Sequence, residues 1–273
     1  MIGMVYENGP FVFDHNTTEL KYNEYAWNKK ANLLYIESPG GVGYSVGNTT
    51  QHSDDSVAED NLQAMLKFYE KFPSMKSKDL YLSGESYAGI YVPWLAYKII
   101  LHNTYPSSRD TMIKLKGILV GNACTDPLEC SDPGKYGSSI YQYEFLFKHG
   151  YYTDLEYDHF RAACLMGFNS TQCKDIRKKM DDFFATTRTS ILNIYEPCYG
   201  LPPEADIASL PKAQGKVKQS GRRHMVGDEL DCDDEIGIMD FFTKHGTFEK
   251  LHVDGSIDFK MCNDEIFDKF DTF

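Results

Sequence analysis

The apolar positions of the chain change period along its length, and each period predicts a different element. Residues 31–36 (Ala-Asn-Leu-Leu-Tyr-Ile) form a short apolar run closed by Ser38-Pro39-Gly40-Gly41, which predicts a buried strand ending in a turn. Residues 80–83 and 115–120 carry runs of the same kind. Between the first two, Leu62, Met65, Leu66 and Tyr69 fall at i, i+3, i+4 and i+7, predicting a helix from Asp54 to Phe72 that Phe72-Pro73 stops. A second helical pattern follows Tyr87, with Trp94, Leu95, Ile99 and Ile100 as its apolar positions. Strand, helix, strand, helix, strand is the alternation of an α/β fold with a parallel sheet. Beyond about residue 135 helical patterns dominate, at 140–147, 156–166 and 171–184, and five of the seven cysteines lie past residue 160. The pattern predicts a core over 1–135, a disulfide-braced helical insertion or cap over 136–250 with an exposed loop at 207–235, and a return toward the core over 251–273.

Composition narrows the function classes. The 273 residues are 42% hydrophobic and 25% charged, a balance that supports a packed core and excludes disordered or collagen-like chains. No apolar run approaches the ~18 residues that a membrane-spanning helix needs. The formal charge of −12 disfavours nucleic acid as a partner. The one basic stretch (Lys212, Lys216, Lys218, Arg222 and Arg223) is followed at once by an acidic run over 228–235, the pattern of an exposed loop. None of the cysteines forms a CxxC pair, and no Cys/His cluster has zinc-finger spacing, so no metal site is expected. Sequons at Asn16, Asn48 and Asn169, together with the cysteines, favour an oxidising secretory-pathway environment, although the first nine residues lack the features of a signal peptide.

The sharpest chemical signal is Gly84-Glu85-Ser86-Tyr87-Ala88-Gly89. A serine between a predicted strand and a predicted helix is the context of a nucleophile elbow, where the turn is too tight for bulky neighbours. Gly84, Ala88 and Gly89 supply the small residues. The elbow would lift the Ser86 hydroxyl above the sheet edge and aim the Tyr87 amide at a developing oxyanion. All six letters arise by chance in about one chain in a hundred thousand of this length.

With Ile90-Tyr91-Val92-Pro93 after it, this segment resembles the active-site segment of the serine carboxypeptidases, exopeptidases of the α/β-hydrolase fold. Glu7-Asn8-Gly9-Pro10 resembles the ENGP segment of that family. Glu37-Ser38-Pro39-Gly40-Gly41-Val42-Gly43-Tyr44-Ser45 resembles its (D/E)xPAGVGFS segment, with Gly40 where alanine is usual. Gly121-Asn122 and Asp126-Pro127 resemble its GNGxxDP turn, and weaker matches follow at Ile194–Cys198 and Leu251–Val253.

The resemblance implies an α/β-hydrolase parallel sheet, a substrate that is a peptide or protein C-terminus, and no metal or cofactor. It implies Ser86 as acylating nucleophile, the Tyr87 amide as one oxyanion donor, and Glu7 and Glu85 as carboxyls that grip the substrate's terminal carboxylate. Two close carboxyls resist ionising together, so one keeps a proton to donate. For Glu85 alone, stabilising a helix N-terminus is the mundane alternative. The resemblance also implies disulfides Cys164–Cys173 and Cys198–Cys232; proximity in sequence allows Cys124–Cys130, which would leave Cys262 over. A lysosomal, vacuolar or extracellular destination is implied without distinction among them.

The family's WxNGGPGCSS segment, its YSGDxD-like aspartate and its GHMVP-like histidine have no match here. None of His102, His149, His159, His224, His245 and His252 follows an apolar strand in the required loop, so no triad base is nominated. The expectation is therefore a form of the enzyme that is incomplete and inactive by itself. Two other readings stay open at this point, an acyltransferase using activated esters and a non-catalytic binding protein that keeps the fold. Oligomeric state and side-chain preference are not legible.

Overall fold

The computed structural model describes residues 3–13, 19–48, 52–105, 111–125, 140–165, 167, 170–187, 189, 193–195, 241–243, 247–255, 257, 259–260, 263 and 266. The basic and acidic stretches of 212–235, Cys130, Cys198, Cys232 and Cys262 lie outside them, as do Asn16 and Asn169. Two compact units divide the chain, one containing residues 30–130 and 248–273 and the other containing 4–29 and 131–247.

In the first unit, helix α1 spans Asp54–Lys71. Ser53 caps it reciprocally with Ser56: the Ser56 amide donates to Ser53 Oγ at 3.2 Å, and the Ser53 amide donates to Ser56 Oγ at 2.9 Å. Asp54 and Asp55 in its first turn and Lys71 in its last suit the helix dipole. Strand β3 (Leu80–Glu85) follows, then α2 (Ala88–Thr104) and β4 (Leu115–Gly121), which pairs parallel to β3 with Leu82 opposite Ile118 and Glu85 opposite Gly121. Helix α2 is the crossover that a parallel pair requires, and it packs on both strands and on α1. Leu62, Met65 and Tyr69 of α1 meet Leu82 of β3 and Val92, Leu95, Ala96 and Ile99 of α2 in one apolar core. Trp94 and Ile100, expected to point inward, are 38% and 54% exposed, because the face that α2 buries runs through Ala88, Val92, Leu95 and Ile99 instead.

The run at 31–36 corrects the sequence expectation. Residues 32–36 belong to no helix or strand, and Leu34, Tyr35 and Ile36 are exposed. An apolar run becomes a strand only when another strand pairs with it, and no strand among the described residues pairs with this one. The following segment is tightly folded by contrast. Glu37 accepts the Tyr44 amide at 2.9 Å, His52 Nε2 lies 2.8 Å from the Gly40 carbonyl oxygen, and Asn263 donates to Gly41 O at 2.9 Å. Burial, reinforced by the nearby Glu37 charge, pushes the Tyr44 hydroxyl up to about 12.

The second unit begins with a π-helical turn at Gly3–Glu7 and a short antiparallel hairpin, β1 (Phe11–Phe13) with β2 (Leu20–Tyr22). Asn23 ties the hairpin to the preceding turn by donating to Gly9 O at 3.0 Å. Its larger part is helical, with α3 (Ile140–Lys148), α4 (Asp154–Cys164) and α5 (Thr171–Thr186). Thr153 and Glu156 form a capping box on α4, and Ser170 caps α5. Tyr143, Leu146, Tyr152, Phe160, Met180 and Phe184 build the core of these helices. Tyr143 donates to the Asp181 carboxylate at 2.7 Å. Burial raises the pKa of both groups. The disulfide Cys164–Cys173 joins the end of α4 to the first turn of α5, so the helical region is disulfide-braced.

Candidate active site

The described part of the candidate site is built where β3 runs into α2. Glu85 is the last residue of β3, and Tyr87 is the N-cap of α2. Ser86 alone turns the chain between them, at φ = 57°. A residue with a Cβ rarely takes this left-handed conformation, and it persists only where its surroundings hold it. The Ser86 amide donates to Gly121 O at 3.1 Å, the Cys124 amide donates to Ser86 O at 2.8 Å, and the Gly89 amide donates to Ser86 O at 3.0 Å. The serine's main chain is thus bonded on one side to the end of β4 and the segment after it, and on the other to the first turn of α2.

The flanking small residues are dictated by space. A Cβ on Gly84 would lie 2.3 Å from the Ala88 Cβ, and one on Gly89 would lie 2.2 Å from the carbonyl oxygen of Cys124. Real atoms do not approach so closely. Ala88 itself is fully buried. Ser86 is exposed. Cys124 is disulfide-bonded, which anchors the segment that holds the Ser86 carbonyl.

Glu85 is exposed beside Ser86 in the sheet-containing unit, and Glu7 is exposed at the end of the π-helical turn in the other. The Glu7 carbonyl accepts from Asn23 Nδ2 at 3.4 Å. Ser86, Tyr87, Glu85, Gly84, Ala88 and Gly89 form one continuous turn, to which β4 adds Gly121 O.

One partner in this turn was not legible beforehand. The Tyr87 hydroxyl donates to both carboxylate oxygens of Asp54, at 3.2 and 3.3 Å. In sequence, Asp54 reads only as a first-turn acid of α1. The pairing depends on α1 and α2 packing side by side, which no local pattern encodes. Several histidines are occupied elsewhere: His102 Nε2 lies 3.1 Å from the Thr111 hydroxyl, and His149 Nδ1 lies 2.8 Å from Phe145 O. Among the described residues, no cluster of His, Cys, Asp or Glu could hold a metal ion, and no helix is long and apolar enough to cross a membrane.

Comparison with known proteins follows the same outline. Residues 1–272 match the serine carboxypeptidase family, Peptidase_S10. Serine carboxypeptidase-like 26 of Oryza sativa subsp. japonica is 32% identical over 281 residues, covering 98% of this chain and 56% of its own length. Serine carboxypeptidase ctsa-4.1 of Caenorhabditis elegans is 29% identical, covering 97% of this chain and 56% of its own length. The chain thus spans about half the length of these curated relatives. The crystal structure of Kex1(delta)p, a prohormone-processing carboxypeptidase from Saccharomyces cerevisiae, superposes with a TM-score of 0.66 at 22% identity, covering 99% of this chain and 56% of that one. At that identity the likeness establishes the fold, an α/β-hydrolase core with a helical insertion.

Proposed function

The chain belongs to the serine carboxypeptidase family, and on that premise we propose that Ser86 is the nucleophile of a serine-type carboxypeptidase that releases C-terminal residues from peptides. The observation that carries this reading is the left-handed Ser86, exposed between the end of β3 and the first turn of α2. In the proposed reaction Ser86 Oγ attacks the carbonyl carbon of the last peptide bond and gives up its proton to a general base, a role assigned to no histidine of this chain. The Tyr87 amide receives the oxyanion of the tetrahedral intermediate. As the intermediate collapses and the C–N bond breaks, the base hands that proton to the leaving nitrogen, so the C-terminal residue departs as an amine and an acyl-enzyme remains. Water, losing a proton to the base, then attacks the ester, and the carboxylic acid leaves as the proton returns to Ser86 Oγ.

In this proposal Glu85 and Glu7 are the carboxyls assigned to the substrate's terminal carboxylate. The disulfide-bonded Cys124, Cys164 and Cys173 support an oxidising, secretory-route location.

The test is carried out on the full protein as its source cell makes it. Blocked dipeptides report release of the C-terminal residue, and a fluorophosphonate followed by peptide mapping reports the reactive serine. Labelling is expected at Ser86, and Ser86→Ala is expected to lower turnover by about a millionfold. Turnover that survives Ser86→Ala, or labelling confined to another serine, overturns the reading. Glu85→Gln and Glu7→Gln are expected to raise KM for free C-termini and to leave KM for C-terminally amidated analogues unchanged.

A further inference from the structure

Asp54 has an ordinary explanation as an acidic residue in the first turn of α1. Its surroundings go beyond that. Asp54 is only 8% exposed, whereas the neighbouring Asp55 remains largely in solvent and pairs with Lys98 Nζ at 2.8 Å. Both oxygens of Asp54 receive the hydroxyl of a residue 33 positions later, the one directly after Ser86. Burial raises the Asp54 pKa, and donation from Tyr87 works against that rise. Tyr87 sits at the N-cap of α2 in a right-handed conformation (φ −62°, ψ −13°), and its side chain makes no cap hydrogen bond to that helix. Its polar end is committed to α1 instead.

Tyr87 is therefore fixed at two ends. Its backbone follows a serine pinned to Gly121 and Cys124, and its hydroxyl is anchored on the first turn of α1. Rotation of the first turn of α2 would break one attachment or the other. An oxyanion donor acts only from within hydrogen-bond distance of the developing charge, and a misplacement of about 1 Å costs on the order of a hundredfold.

From this geometry we infer that Asp54 is a positioning residue that tethers the Tyr87 side chain and thereby fixes the Tyr87 amide beside the Ser86 hydroxyl. The inference rests on the assignment of Ser86 as nucleophile. Asp54 touches neither substrate nor reacting atoms in this role. It acts through Tyr87, so its contribution belongs to the transition state rather than to substrate binding.

The test uses the full protein, with kcat expressed per active site titrated by a fluorophosphonate. Tyr87→Phe removes the hydroxyl alone and is expected to lower kcat by about tenfold with KM within about twofold, a fraction of the loss expected for deleting an oxyanion donor. Asp54→Ala is expected to do the same, and the double variant no more, since the two groups act as one unit. Asp54→Asn keeps an acceptor for the hydroxyl and is expected to retain most of the wild-type kcat. Additive losses in the double variant, a loss confined to KM, or an unchanged kcat in Tyr87→Phe would overturn the tether. A fall in the titrated fraction and in Tm with kcat per titrated site intact would assign the contact to stability alone and overturn it too. If Asp54→Ala fails to fold, Tyr87→Phe and Asp54→Asn still decide the matter. A wild-type protein that neither titrates nor turns over removes the nucleophile assignment and the tether with it. An active wild type with unaffected variants removes the tether only.

Discussion

Ser86 holds φ at 57° although it carries a Cβ, a conformation that costs roughly 1–2 kcal/mol. Stability does not account for a serine there, since glycine would accept the same turn freely. Ser86→Ala and Ser86→Gly both lack the hydroxyl and differ mainly in backbone freedom. The glycine variant is expected to be more stable to urea than the alanine variant by about 1 kcal/mol at the same position. Equal midpoints would mean that the turn stores no strain. Asp54 gives a second residue-scale expectation. Its folded pKa lies above the unfolded value, so the native state holds the proton longer than the unfolded chain does. Stability from this group is complete below the unfolded carboxylate range and is lost as pH rises through the folded pKa. Asp54→Asn abolishes the titration, so its stability relative to wild type should increase as pH rises from about 4 toward neutrality. A difference that stays flat with pH, followed by urea titration, would contradict the assignment.

Elements extend the same reasoning to backbone contacts. In the elbow, α2 approaches the segment after β4 so closely that Gly89 has no room for a methyl group. Gly89→Ala must push the Cys124 carbonyl away, breaking the bond from the Cys124 amide to Ser86 O, at an expected cost of about 2–3 kcal/mol in unfolding free energy. Across α4 and α5, Cys164–Cys173 closes a loop of nine-residue separation, and replacing both with alanine should cost about 3 kcal/mol on chain-entropy grounds. Calorimetry on each variant checks both figures. These elements also show how far the sequence could be read. The helix expected over 54–72 occupies Asp54–Lys71, and the three expected over 140–184 fall within two residues of α3, α4 and α5, because each carries its own apolar stripe and α1, α4 and α5 also carry their own side-chain caps. Strands 80–83 and 115–120 were found because each reads as a short apolar-rich run between helical patterns. Residues 31–36 read identically yet form no strand, since pairing is a property of the neighbour and not of the run. The Tyr87–Asp54 bond was invisible for the same reason.

For the molecule as a whole, the open question is what an acidic chain does with apolar surface left in solvent. Ile118, Leu119 and Val120 are 43%, 48% and 39% exposed on consecutive positions of β4. Successive residues of a strand point to opposite faces, so both faces of β4 meet water. Tyr81 on β3 and Leu34, Tyr35 and Ile36 add to the exposed apolar area. Burying any one such side chain fully is worth about 1.5–3 kcal/mol, and parallel sheets are ordinarily covered on both sides. Against association stands a formal charge of −12, whose repulsion between copies weakens as salt shortens the Debye length from about 30 Å at 0.01 M to about 3 Å at 1 M. The apolar term is not screened. The 273-residue chain is therefore expected to remain dispersed at low ionic strength and to self-associate as salt is added, the reverse of an association driven by opposite charges. Leu119→Lys places a charge in the middle of the exposed run and should move the onset to higher salt without lowering the helical circular dichroism signal. Light scattering across a salt series measures that onset. A wild-type chain that stays monomeric at every salt concentration would mean that these faces are covered in solution.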